Sequence, residues 1–243
     1  MNAVVRLAPI VLLVGTLHLE LTPQARGEIV EEMVAWVDGD IITKSDLERQ
    51  ESDLIEAARQ RYSGDELRRR LEAVRQTTLL DIIDHKILHH RGQQLWGSKE
   101  IEESYYRSFR QQQGLSDDEE FEQLLAQEGL TVERLKHLLS EKFVPDQVRE
   151  QEVAVLIPGI SDLEVRDYYD RHPDEFMAPG EERLIPFDES IDRARKTLQN
   201  ERYMEQLEAF VEMARGEAEW WVKAEYRDHL PEGVKPTREE IPR

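Results

Sequence analysis

The sequence predicts a mainly α-helical fold with a small β-sheet. Three features carry this: a hairpin signal near the beginning, a succession of capped amphipathic helical stretches, and a short aromatic strand near the end. The hairpin is "MVAWVDGDIIT". Val34 to Val37 and Asp40 to Thr43 are β-prone runs joined by Asp38-Gly39, and a two-residue Asp-Gly loop suits a turn whose central positions both need positive φ. The late strand is "EWWVKAEY", Glu219 to Tyr226. Two strands alone are marginal in water. The late segment is therefore the expected third partner, so that the first and last segments meet in one sheet beside a helical body.

The helices follow from caps and periodicity. Ser45 with Glu48 three residues on has the form of a capping box, opening a stretch with Leu47, Leu54, Ile55, Ala58 and Tyr62 on one face. A long pattern from about Asp65 to Trp96 carries a broad stripe including Leu79, Leu80, Ile83, Ile87 and Leu88, and Gly97 is placed to stop it. Ile101, Tyr105 and Phe109 recur every fourth residue in the next helix, which Gly114 closes. Ser116 and Glu119 form a second capping box before Phe121, Leu124 and Leu125. Thr131 opens a further helix with Leu135, Leu138, Leu139 and Phe143. Pro145 is expected to break or kink that helix, since it removes a backbone donor and disfavours helical geometry at Val144. Ser161 and Glu164 give a third box for a helix through Val165, Tyr168 and Tyr169 that ends near His172-Pro173. The last helix runs from about Asp188 to Ala214, with Gly216 ending it, and residues 227–243 have the composition of a flexible tail.

Residues 1–27 have the order of a secretory signal: a single Arg6, an apolar run from about Leu7 to Leu19, and small residues at Ala25 and Gly27. An uncleaved anchor is the alternative, although the run is short for a bilayer span. Both place the bulk of the chain outside the cytoplasm, and no second long apolar stretch follows. The absence of cysteine excludes disulfides, thiolate nucleophiles, zinc-thiolate sites and a lipid-attachment cysteine. With 52 acidic against 32 basic residues, the formal charge of -20 repels phosphate backbones and argues against nucleic acid as a partner.

Three stretches in order carry a family resemblance: "VAWVDGDIITKSDLERQ", "LLDIIDHKILHHRGQQLWGSKEIEESY" and "ISDLEVRDYYDRHPDEF". Together they resemble the N-terminal chaperone module of the SurA family of periplasmic folding factors, which is similar to the foldase PrsA and distantly to trigger factor. The likeness covers roughly Met33 to Phe176. The final helix with "EWWVKAEY" is similar to the family's returning C-terminal segment, which gives a module of residues 28–176 completed by 188–226. In that family the Tyr-Tyr helix ending in "PDEF" commonly leads into a parvulin-type prolyl isomerase domain. Here the linker 177–187 is far too short to hold a domain with its own core. The resemblance implies a periplasmic, ATP-independent holdase for unfolded or extended clients such as outer-membrane precursors. It would act without isomerase activity, with a separate foldase as a further partner. A cell-envelope scaffold for one dedicated folded partner is the alternative.

No phosphate-binding glycine loop, nucleophile elbow or supported Ser/His/Asp set is present, so no enzyme and no cofactor are expected. "DDEE" at Asp117 to Glu120 complements a helix N-terminus. Asp81, His85 and His89, four residues apart, would share one helix flank and could supply metal ligands, but they lack a Glu of the HExxH type and a fourth ligand; solvated histidines are the simpler expectation. His90 is expected on the apolar face. The candidate client-binding residues are aromatic: Tyr105, Tyr106, Phe109, Tyr168, Tyr169, Phe176, Trp220 and Trp221. Adjacent aromatics diverge on a helix and oppose each other on a strand, so one member of each pair is expected to be exposed.

Overall fold

In the computed structural model the described residues are 31–114, 117–178, 180 and 183–241. The signal-like segment 1–27 and Ser116 of the second capping box lie outside them. The fold is mainly helical with one small antiparallel sheet, as expected.

Strand β1 (Met33–Val37) is the centre of the sheet, between β2 (Asp40–Thr43) and β3 (Trp220–Val222). Asp38 and Gly39 both take positive φ, 46° and 105°, the geometry that a tight two-residue hairpin demands. The pairs Ala35 with Val222, Trp36 with Trp221 and Val37 with Trp220 join the two ends of the described chain. The turn is fastened to β3 as well: Asp38 N donates to Glu219 O at 2.9 Å, and Glu219 N donates to Asp38 Oδ1 at 2.9 Å. On the inner face Ala35, Val37, Ile42, Trp220 and Val222 are buried.

The helices are α1 (Lys44–Arg61), α2 (Gly64–Trp96), α3 (Ser98–Gln113), α4 (Asp118–Gln127), α5 (Val132–Val148), α6 (Asp162–Arg171) and α7 (Phe187–Glu217). The first cap is Thr43, not Ser45: its Oγ1 accepts from Asp46 N and Asp46 closes the reciprocal bond. Thr43 ends β2 in extended geometry, so the box forms at the strand–helix junction and Ser45 falls inside the first turn. Thr131 and the Ser161/Glu164 box cap as expected. Gly216 does not stop α7, which runs to Glu217 with Ala218 as its cap.

The seam between α2 and α5 is the most extensive helix contact. Gly92 is buried there; a Cβ at this position would stand 2.1 Å from Val144 Cγ1 and 3.0 Å from Val148 Cγ2. Pro145 neither ends nor interrupts α5, which continues to Val148 before a π-helical turn at Arg149–Val153. A proline deprives the carbonyl four residues back of its helical donor. That carbonyl is Glu141 O, and His85 Nε2 on α2 donates to it at 2.7 Å. The helix therefore keeps its polar accounts closed, and the proline becomes part of the seam.

The main core lies between the sheet, α2, α5 and α7, with Leu79, Ile83, Leu88, Val144, Val148, Phe210 and Trp220 fully buried or nearly so. A second cluster joins Tyr106, Phe121, Leu125, Leu135 and Leu139, and a third joins Val165, Tyr168, Tyr169, Phe176 and Ala194. After the Pro173–Phe176 3-10 turn, Met177 and Leu184 form an antiparallel bridge, and Ala178 N donates to Arg183 O at 2.8 Å. The expected flexible tail is corrected. A 3-10 turn at Ala224–His229 leads to buried Leu230, and Arg238 N donates to Trp220 O at 3.0 Å. Trp220 N donates to Thr237 Oγ1 at 2.9 Å. The outer edge of β3 would otherwise expose unpaired backbone groups, and this segment supplies their partners.

Gly92→Ala tests the seam. Overpacking of this kind costs about 1–3 kcal/mol, so its unfolding midpoint falls by several degrees in a thermal melt. An unchanged midpoint would show that the two helices do not need so close an approach.

Candidate functional site

A cleft of about 860 Å³ opens between β2, α1, α2, α5 and α7. Its apolar walls come from Ile41, Ile82, Leu130, Leu138, Leu207 and Val211, and charged groups are set among them. The strands explain Ile41. In a two-residue alternation Ile42 faces the core, so its neighbour must face outward, and Ile41 is 56 % exposed. Ile41 pairs with Trp36, and Trp36 with Trp221, across the three strands. Directly opposed residues share one face. An apolar stripe thus leaves the cleft at Ile41 and crosses the outer side of the sheet.

The charged lining is largely paired. Lys86 Nζ reaches Glu141 Oε1 at 2.6 Å and Asp40 Oδ2 at 3.3 Å, tying α2 to α5 and to the hairpin. Burial pushes the Glu141 carboxyl up, but the Lys86 bond and charge, with His137 and His89 added, together outweigh it and hold the group below the ordinary carboxylate range. Asp40 is held far below its ordinary value, first by His90, whose Nε2 lies 3.5 Å from its Oδ2, and against partial burial, with Lys86 adding to it. Arg215 on α7 grips Asp84 on α2 through two bonds of 2.8 and 2.7 Å, a bidentate fork between two cleft walls. Asp46 is held by Arg49 and the Thr43 cap.

Asp81 and His85 both line the cleft, but His89 does not join them. Each four-residue step around a helix turns the side chain by about 40°. Two steps carry His89 into the α2–α5 seam, where it is buried with Nε2 3.0 Å from Ser140 Oγ. Among the described residues no group of three or more His, Cys, Asp or Glu side chains is arranged to hold a metal ion. His90 is half-buried beside Asp40, 3.5 Å from its Oδ2.

None of the eight aromatic candidates lines the cleft. Tyr106 is buried in the second cluster, and Phe109 lies beside Phe121 at its edge. Tyr105 stacks on Phe143 at 5.6 Å and hydrogen-bonds Gln147. The expectation that one member of each aromatic pair is exposed fails for Tyr168 and Tyr169, which are both buried with Phe176. The short α6 is covered on two sides: Tyr168 Oη donates to Glu201 Oε1 on α7 at 2.7 Å, while Tyr169 Oη donates to Ile185 O in the loop at 2.5 Å. A polar tip that finds an acceptor lets a tyrosine be buried whole. Burial, then Glu201 and Glu175, push the Tyr168 hydroxyl well above its ordinary pKa. In the strand pair the two side chains do take opposite faces, but neither is exposed: Trp220 is buried, and Trp221 is half-buried in the outer stripe, where its Nε1 donates to Glu239 O at 3.0 Å.

Sequence periodicity does not flag the cleft residues, because aliphatic side chains on helices read as core. The available signal is "DIIT". Adjacent isoleucines on a strand cannot share a face, the same rule that separates the two tryptophans. Compared with known proteins, the chain matches no family model and no curated sequence at a significant level. Among the described residues no helix is long and apolar enough to cross a membrane.

Burial holds His89 neutral, its pKa lowered from 6.5 to about 4, among Glu141, Lys86, His90 and His137, and its Nδ1 has no partner. A lowered folded-state value means that the unfolded chain takes up the proton first. Stability is therefore full above the ordinary value and is lost as pH falls towards the folded one. Linkage gives a loss of roughly 2 kcal/mol between about pH 7 and pH 5 from this one residue. Burial lowers His85 in the same direction. Glu141 contributes no loss until pH approaches its ordinary 4.5. Denaturant titrations across this window show a clear decline for the wild type and a much flatter one for His89→Gln; equal slopes would contradict the buried neutral histidine.

Proposed function

We propose that the chain is an ATP-independent periplasmic holdase that binds unfolded or extended segments of envelope proteins, outer-membrane precursors among them, and does no bond chemistry. The observation that carries this reading is the open cleft with aliphatic walls, continued by Ile41, Trp36 and Trp221 over the outer face of the sheet. Ile41 is exposed and the other side chains are half-buried, so the apolar surface lies mainly inside a concavity, the kind of place where another molecule is received. The walls hold few polar groups free for directional recognition, which suits weak contacts tolerant of client sequence. The order of hairpin, helices and returning strand, on which the family resemblance rests, agrees with the module expected of such a factor. Without a nucleotide-driven step, release follows dissociation and mass action. The strongly acidic surface keeps a loaded complex soluble.

Suppression of aggregation of an unfolded β-barrel precursor tests this. The wild type protects at near-stoichiometric ratios. The Ile41→Asp/Leu138→Asp double variant removes two apolar contacts, each worth on the order of 1 kcal/mol, and its affinity for the client falls by roughly thirtyfold, with protection lost at the ratios where the wild type protects. Leu163→Asp, at a position 83 % exposed and outside the cleft, protects as the wild type does. Absence of protection by the wild type, with capture of a single folded partner instead, would replace the holdase by a dedicated adaptor.

A further inference from the structure

Resting on the cleft as a polypeptide-binding site, we propose that it selects extended segments carrying a lysine or arginine between aliphatic side chains, with Asp81 as the carboxylate that receives the cation. Four carboxylates line the cleft: Asp46, Asp81, Asp84 and Glu141. Three have a basic side chain of their own, Arg49, Arg215 and Lys86 respectively. Asp81 has none within ion-pair distance; its hydrogen-bonding neighbour is the Thr77 hydroxyl. Arg149 acts on Asp81 only through space, because its guanidinium is bonded to Asp146 Oδ1 at 2.6 Å.

The surroundings of Asp81 favour a cation over any other occupant of that spot. Asp81 is an exposed residue on the cleft wall, where desolvation by that wall and then the neighbouring Asp84 charge raise its pKa. An incoming ammonium or guanidinium relieves both, whereas an anion would meet two carboxylates. One helical turn on, His85 donates from Nε2 to Glu141 O, which leaves Nδ1 as the acceptor, and burial keeps the ring neutral. A cationic donor thus finds a carboxylate and an imidazole acceptor on the same helix, beside Ile82. The unpaired cation of the lining, Lys142, belongs to an exposed residue and lies over the Phe143 ring, 5.4 Å from its centroid. Both Asp81 and Lys142 are exposed, but the Lys142 ammonium already lies against an aromatic face, whereas Asp81 has no charged partner. Leu138, Leu207 and Val211 supply the apolar contacts on either side. The formal charge of -20 steers basic segments towards the molecule but does not place them.

Three fluorescent extended peptides identical except for a central Lys, Gln or Glu among leucines test this, with affinities read by anisotropy at low ionic strength. The wild type binds the Lys peptide about three- to tenfold more tightly than the Gln peptide, the range expected of a partly solvated ion pair, and the Glu peptide least. Asp81→Asn brings the Lys peptide down to the Gln peptide. Asp192→Asn removes the same charge from an exposed position on α7 about four turns from Leu207 and keeps the preference. Equal binding of all three peptides overturns the proposal while leaving a polypeptide site in place. A preference that survives Asp81→Asn overturns it by assigning the selectivity to overall charge. Binding of none of them removes the polypeptide site and the proposal together.

Discussion

The cleft depends on how α2 meets α5. These helices approach closely because Gly92 presents no side chain to Val144 and Val148, and they stay in register because a ring nitrogen on α2 answers a carbonyl that a proline on α5 has orphaned. The His85 to Glu141 O bond is thus a consequence of Pro145. It replaces a helical hydrogen bond with one between helices, and a buried carbonyl left unpaired would cost a few kcal/mol. The Lys86–Glu141 pair and the buried His89–Ser140 contact extend the same seam. Polar groups that would be liabilities in an apolar interface become the fasteners that fix its spacing.

Closure of the sheet does the rest. Because β1 lies between β2 and a strand from the far end of the chain, α7 is delivered against α2, where the Arg215–Asp84 fork anchors it. Leu207 and Val211 on α7 then stand across from Leu138 on α5 and Ile41 on β2 with a gap between them. The gap is kept open by the same elements that make the core. Its charged lining is spent mostly on internal pairs, so what is left is mainly aliphatic, with Asp81 and Lys142 as the charges that have no ion-pair partner. A binding surface of this kind recognises shape and hydrophobicity first and charge second.

Much of this architecture was legible in the residues. The Asp-Gly turn, the Thr131 and Ser161 caps, the Gly97 and Gly114 stops and the partnership of "WWV" with the early hairpin each follow from local chemistry with few alternatives. What failed to show depends on contacts between segments far apart in the chain. Pro145 reads as a breaker because the donor that rescues Glu141 lies 56 residues away. Residues 227–243 read as a tail because the backbone edge that Thr237 and Arg238 cover belongs to a strand formed only in the folded state. Tyr168 and Tyr169 read as surface aromatics because their acceptors, Glu201 and Ile185 O, come from α7 and the loop before it. The cleft does not show in sequence for a related reason: a leucine such as Leu138 looks the same whether its helix face is covered or left open.

The most direct measurement places a photo-crosslinking residue at Leu138, and separately at Leu163, and irradiates each in the presence of an unfolded β-barrel precursor. A polypeptide-receiving cleft predicts adducts from position 138 and almost none from position 163, even though Leu163 is the more exposed side chain. Adducts that follow exposure, abundant at 163 and absent at 138, would contradict it.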